Sequence, residues 1–142
     1  MKALPAQPAS RIYTSDEAKR VWHIRESGLG ATAFIPGPNG KSTTGWEGWE
    51  DAAVDPAQLG SYLRAIHALI NEYNYSTAMY GHFGQGCVHM RLNFDLETPA
   101  GILKFRQFID RAADVALAHG GSLSGEHGVG QARGALLPKM FG

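Results

Sequence analysis

Residues 87–95, CVHMRLNFD, alternate without a break. Val88, Met90, Leu92 and Phe94 fall on one side of an extended chain, and Cys87, His89, Arg91 and Asn93 on the other. A period of two over this length predicts a strand with one apolar face that something else must cover. Residues 75–82, YSTAMYGH, precede it as a second strand candidate, joined through a glycine-bearing turn at 83–86. The cover is encoded on either side. Leu59, Tyr62, Leu63, Ile66, Leu69, Ile70 and Tyr73 recur at three- and four-residue steps upstream, and Ile102, Phe105, Ile109, Ala112, Ala113 and Ala116 do so downstream. Each helix opens on a capping residue followed by proline, Asp55–Pro56 and Thr98–Pro99, and the second stops at Gly120 and Gly121.

With short strand candidates at 50–54 and 122–124, residues 50–124 read β-α-β-β-α-β. That is the split βαβ order of a ferredoxin-like α+β sandwich, with both helices on one face of an antiparallel sheet. The face carrying Val88 and Met90 is expected under the helices, and the face carrying His89 and Arg91 is expected to be open. Parity alone does not assign His82 to either side.

The N-terminal third is different. Thr14 and Glu17 have capping-box spacing, Asp16 and Glu17 suit a positive helix end, and Ala18, Val21 and Trp22 fall at helical steps, which predicts a helix over 15–27 stopped by Gly28. Residues 28–49 are rich in glycine, carry Pro36 and Pro38, and read as a long loop without regular structure. The expected division is an N-terminal helix and loop over 1–49 and a ferredoxin-like half over 50–142. GPNGKST at 37–43 imitates a phosphate-binding loop, but that motif needs glycine at position 35, where this chain has Ile35.

A chain of 142 residues forms one ordinary domain. Its 13 basic and 13 acidic residues cancel, which argues against nucleic acid or an anionic membrane as partner. The single cysteine, Cys87, excludes an internal disulfide and any iron–sulfur cluster ligated within the chain. No apolar run approaches a membrane span and the first residues lack a secretory pattern, so the expected location is the cytoplasm.

Three segments carry chemistry. His82 and His89 flank the hairpin turn, where two imidazoles can form half of a metal site, or serve as one core and one surface histidine. Glu126 and His127 lie in GGSLSGEHGVG, 120–130, where glycines let backbone approach closely; the pair suits a ligand and a base, or a solvated turn. Arg25, in WHIRE at 22–26, suits a carboxylate clamp or a surface ion pair.

The segments GHFGQGCVHM (81–90) and GGSLSGEHGVGQARG (120–134), preceded by WHIRE, resemble the C-terminal (cap) domain of FAD-linked oxidases in the vanillyl-alcohol-oxidase superfamily. That family includes glycolate oxidases, D-lactate dehydrogenases and D-2-hydroxyglutarate dehydrogenases. Its pattern runs Gly-His-x-Gly-Asp-Gly-Asn-x-His, then Ser-x-Glu-His-Gly-x-Gly, after a Trp-x-x-Arg-Glu-like piece. The resemblance implies a divalent metal, zinc or manganese, on His82, His89 and Glu126. It implies His127 as the general base and Arg25 as the substrate-carboxylate clamp. Gln85 and Cys87 depart from the family's aspartate and asparagine, which bears on substrate identity more than on the metal.

The implied function is the substrate- and metal-binding cap portion of a flavin-dependent D-2-hydroxy-acid dehydrogenase, oxidising a small 2-hydroxy acid to the 2-oxo acid with FAD as hydride acceptor. FAD would be held mainly by a separate flavin-binding domain or subunit, so this truncated cap is expected to be inactive alone. The ending GQARGALLPKMFG further resembles large flavoproteins that carry an iron–sulfur domain. The alternative is a stand-alone ferredoxin-like module that holds metal or a carboxylate without catalysis. A hydrolytic zinc enzyme is disfavoured, because no His-Glu-x-x-His helix is present. An open sheet face without its partner domain predicts self-association.

Overall fold

The computed structural model describes residues 11–36 and 41–142, apart from the side chains of Arg25 and Leu29. Contacts divide the chain into a unit ending at Ala31 and a larger one from Thr32 to Gly142. The first unit is built on α1 (Ser15–Ser27), where the Glu17 carboxylate accepts the Thr14 backbone N–H at 3.1 Å, the reach-back half of a capping box. A 3₁₀ segment, Gly28–Ala33, follows it.

The larger unit is α+β. It opens with a hairpin of β1 (Phe34–Pro36) and β2 (Ser42–Thr44), paired antiparallel from Phe34↔Thr44 to Pro36↔Ser42. The expectation of a structureless loop over 28–49 is therefore corrected. Two three-residue strands are too short to show a period against glycine and proline, and Ile35 is buried only because the chain folds back on itself. Residues 37–40, which begin the phosphate-loop imitation, lie outside the described residues.

The main sheet is antiparallel, in the order β3 (Ala52–Ala53), β5 (Cys87–Leu92), β4 (Thr77–His82). Between β3 and β4 runs α2 (Leu59–Glu72), and after β5 comes α3 (Pro99–Ala118). Asp55 and Thr98 cap as the sequence predicts, accepting the N–H of Ala57 at 2.8 Å and of Gly101 at 3.0 Å. Val88, Met90, Leu92 and Phe94 form one buried core with Tyr62, Ile66, Leu69 and Ile70 of α2 and Phe105, Phe108, Ile109, Ala112, Ala113 and Ala116 of α3. Phe108 meets Tyr75 edge-on at 5.3 Å. Two short helices finish the chain, α4 (Gly130–Arg133) and α5 (Leu137–Phe141).

Two expectations about the sheet change. The closing strand at 122–124 is reduced to one bridge, Ser122 to Ala53. The Ser122 hydroxyl donates to the Ser124 carbonyl at 2.7 Å and accepts the Ser124 N–H at 3.2 Å, so a side chain takes the groups a strand would have offered to a ladder. The second face is also not open at its centre: His89 is 3% exposed. Register resolves the question of His82, since Tyr80 pairs with His89 and His82 with Cys87. Directly paired residues point the same way, so His82, Tyr80, Cys87 and His89 share one face.

The turn that joins the two histidine-bearing strands depends on Gly86, which sits at φ +76° with the site of a Cβ only 1.8 Å from the Val54 carbonyl oxygen. A left-handed conformation and backbone contact together require glycine. Gly86→Ala is expected to destabilise the fold by on the order of 1–3 kcal/mol in urea unfolding. An unchanged midpoint would contradict this geometry.

Candidate active site

The hairpin supplies two imidazoles, and the loop after Ser122 supplies Glu126 and His127. Glu126 extends one carboxylate oxygen between three histidines: Oε1 lies 2.9 Å from His89 Nε2, 3.2 Å from His82 Nε2 and 3.6 Å from His127 Nε2. His127 stacks on His89, their ring centroids 4.6 Å apart, while His82 meets His89 edge-on at 5.7 Å. Of these residues His89 is buried, and the other three are between two-fifths and one-half exposed at the side chain. The centre therefore has a rigid floor and an open rim. Four residues named from the sequence, His82, His89, Glu126 and His127, are brought together. Arg25 lies on α1 in the first unit, and its side chain is outside the described residues.

Three further residues belong to this centre and went unnoticed in the sequence. Glu50 accepts from His127 Nδ1 at 3.2 Å and stands 3.7 Å from His89 Nδ1. Asp51 is fully buried at φ +67°, with Oδ1 3.8 Å from the same His89 nitrogen. Arg133 is buried too, and its guanidinium donates to the carbonyls of Glu50, Leu123 (2.5 Å) and Gly128 (2.7 Å). These bonds tie the segment before β3 to the Glu126–His127 loop. Only the run WED at 49–51 and the lone arginine in GQARG signalled them, and neither has a period that marks burial.

The electrostatics follow from these contacts. Burial raises the Asp51 pKa, but hydrogen bonds from the Ser124 hydroxyl, the His127 and Glu126 amides and the Cys87 thiol outweigh it and hold the carboxyl at about 2. Burial, with Asp51 beside it, pushes the Cys87 thiol up to about 12, so it is an inert S–H rather than a thiolate. The hydrogen bond to Glu50 raises His127 above the usual imidazole value, against a smaller opposing effect of desolvation. Burial lowers Arg133, countered in part by Glu50 and Asp51.

Ligand-type atoms of Asp51, His89, Glu126 and His127 all lie within 4.8 Å of one another. Neutral imidazole nitrogens with a carboxylate oxygen make a donor set that suits zinc or manganese. His82 Nε2 reaches the same Glu126 oxygen from the exposed side.

The whole chain, residues 1–142, matches the family model of FAD linked oxidases, C-terminal domain. The chain belongs to that family. Among curated relatives, this FAD-linked oxidase C-terminal domain is 36% identical over 93 residues to the D-2-hydroxyglutarate dehydrogenase of Pseudomonas putida, covering 66% of the chain and 9% of the relative. It is 29% identical over 124 residues to glycolate oxidase subunit GlcD of Bacillus subtilis, covering 87% and 25%, and 33% identical over 91 residues to the D-lactate dehydrogenase of Archaeoglobus fulgidus, covering 64% and 20%. The domain thus spans a quarter or less of each of these relatives. Among its described residues no helix is long and apolar enough to cross a membrane.

The Asp51 carboxyl has a folded-state pKa of about 2, below the roughly 3.9 of an unfolded chain, so the fold favours its ionised form. Its stabilisation is complete above about pH 4 and is lost as pH falls towards 2, on the order of 2 kcal/mol in all. Acid unfolding followed by circular dichroism is expected to shift by that amount in Asp51→Asn relative to the parent. Coincident acid limbs would show that the carboxylate is not held this way.

Proposed function

We propose that this domain is the substrate- and metal-binding portion of a flavin-dependent D-2-hydroxy-acid dehydrogenase. The observation that carries the reading is the convergence of His82, His89 and His127 on one oxygen of Glu126. Family membership and the activities of the relatives, a D-2-hydroxyglutarate dehydrogenase and a D-lactate dehydrogenase, support the reaction class. On this reading His82 and His89, through Nε2, and Glu126, through its carboxylate, hold zinc or manganese. The chemistry supplied from outside these residues is Lewis-acid polarisation of the substrate hydroxyl by the ion and hydride acceptance by FAD.

The chain's own residues do the rest. Glu50 accepts from His127 Nδ1, so in the neutral ring the bare nitrogen is Nε2, on the side of Glu126. His127 takes the hydroxyl proton of the 2-hydroxy acid at Nε2 as hydride departs from the carbon that bore it, leaving the 2-oxo acid. The family resemblance of WHIRE supplies the role of Arg25, as the clamp of the substrate carboxylate. Stacking on the buried His89 limits the freedom of the His127 ring to drift from a reactive geometry.

Calorimetry with zinc and with manganese is expected to give about one equivalent bound, lost in His82→Ala. A parent chain that binds neither ion would sink the ligand assignment. With its flavin-binding part supplied, the protein is expected to be reduced by a D-2-hydroxy acid, and His127→Asn to lower kcat by on the order of 10²–10⁴-fold with metal still bound. Stoichiometric metal with no reduction by any such acid would instead favour a binding module without catalysis.

A further inference from the structure

We propose that Asp51 is the positioning residue of this centre: it stands behind the ligands, sets Glu126 and His127 through their backbone, and holds the loop in shape before any ion arrives. The inference rests on the reading of Glu126 as a ligand and His127 as the base.

The geometry separates Asp51 from the groups in front of it. Its Oδ2 accepts the Ser124 hydroxyl at 2.5 Å and the His127 N–H at 2.7 Å. The Glu126 N–H is shared between the two oxygens at 3.1 Å each, and the Cys87 thiol donates to Oδ1 at 3.5 Å. A carboxylate has about four lone-pair directions, and four donors already address this one. Asp51 is therefore a poor candidate for a ligand, although its oxygens lie close to those that serve. Oδ1 also stands 3.8 Å from His89 Nδ1, a buried nitrogen that has no hydrogen-bond partner among the described residues. Glu50 and Asp51 thus stand on the Nδ1 side of the His89 ring, and Glu126 on its Nε2 side at 2.9 Å.

The backbone works in the same direction. The Asp51 carbonyl accepts the Gly125 N–H at 2.6 Å, so both the main chain and the side chain of this residue grip the loop. Gly125 has no room for a side chain, since a Cβ there would lie 2.8 Å from Cys87 Sγ. Three successive amides, of Gly125, Glu126 and His127, thus close on Asp51. The left-handed backbone at φ +67° turns its carboxylate into that cradle, and aspartate is one of the few side chains that tolerates the conformation.

The test is amide hydrogen exchange by NMR on the metal-free chain, with zinc calorimetry alongside. In Asp51→Asn the Glu126 and His127 amides are expected to exchange at least tenfold faster, beyond the change at the Met90 and Phe108 core amides. Zinc affinity is expected to fall by roughly 10–100-fold, as for other groups that orient ligands. Ser124→Ala, which deletes one donor and leaves the charge, should show the same pattern in smaller measure and serves if the first variant does not fold. Leu69→Ala destabilises the core from a distance and should leave zinc affinity within about twofold. Parent-like exchange at Glu126 and His127 in both site variants, or an equal loss of affinity in Leu69→Ala, would overturn the assignment. A parent chain that binds no metal would remove the ligand reading alone, and the exchange rates would still decide the role of Asp51.

Discussion

Strand β5 has two sides, and the molecule is organised by the difference between them. On one side Val88, Met90 and Leu92 are completely buried against two helices, and no polar atom of their side chains asks for a partner. On the other side His89 is equally deprived of water but carries two nitrogens that need partners. A central strand cannot retreat from either demand, because hydrogen bonds to β3 and β4 hold it on both edges. The polar side is answered by bringing in acidic residues from the start of β3 and from the loop after Ser122, and these are the groups that make the centre.

Concentrating Glu50, Asp51 and Glu126 around a buried imidazole carries an electrostatic cost, and the structure shows how it is offset. Buried charge is tolerated when its lone pairs are occupied and an opposite charge is near. Asp51 is surrounded by donors from four residues. Arg133 is sunk beside Glu50, with its N–H groups spent on three carbonyls, and three histidines face Glu126. The glycines of this region have a related purpose. Gly86 lets the hairpin pass against the carbonyl of Val54, and Gly125 lets the loop close on Cys87 and Asp51.

Much of the frame is legible in the sequence. The two amphipathic helices, the hairpin with its alternating second strand and both proline-marked caps are local patterns, and local patterns survive in a linear text. The hairpin β1–β2 was not legible, because three-residue strands show no period and their pairing is decided by contact. The single bridge at Ser122, in place of a strand, was not legible either, since a hydroxyl competing for backbone groups leaves no mark on hydrophobicity. The burial of His89 on a face expected to be open has the same kind of cause: alternation says which residues share a side, and says nothing of what will cover it.

The sequence by itself determined the α+β class, the core face of β5, and four of the side chains that meet at the centre, because each is encoded by spacing within a single segment or by a short motif. Only the tertiary structure decided that His82 shares a face with His89, that His89 is buried, and that Glu50, Asp51 and Arg133 belong to the same centre. Those facts depend on strand register and on contacts between residues far apart in the chain, Asp51 with His127 and Glu50 with Arg133 among them. A left-handed turn at Asp51 and a salt-bridged arginine beneath a loop are consequences of packing, and packing is where the chain as a whole, rather than any part of it, sets the chemistry.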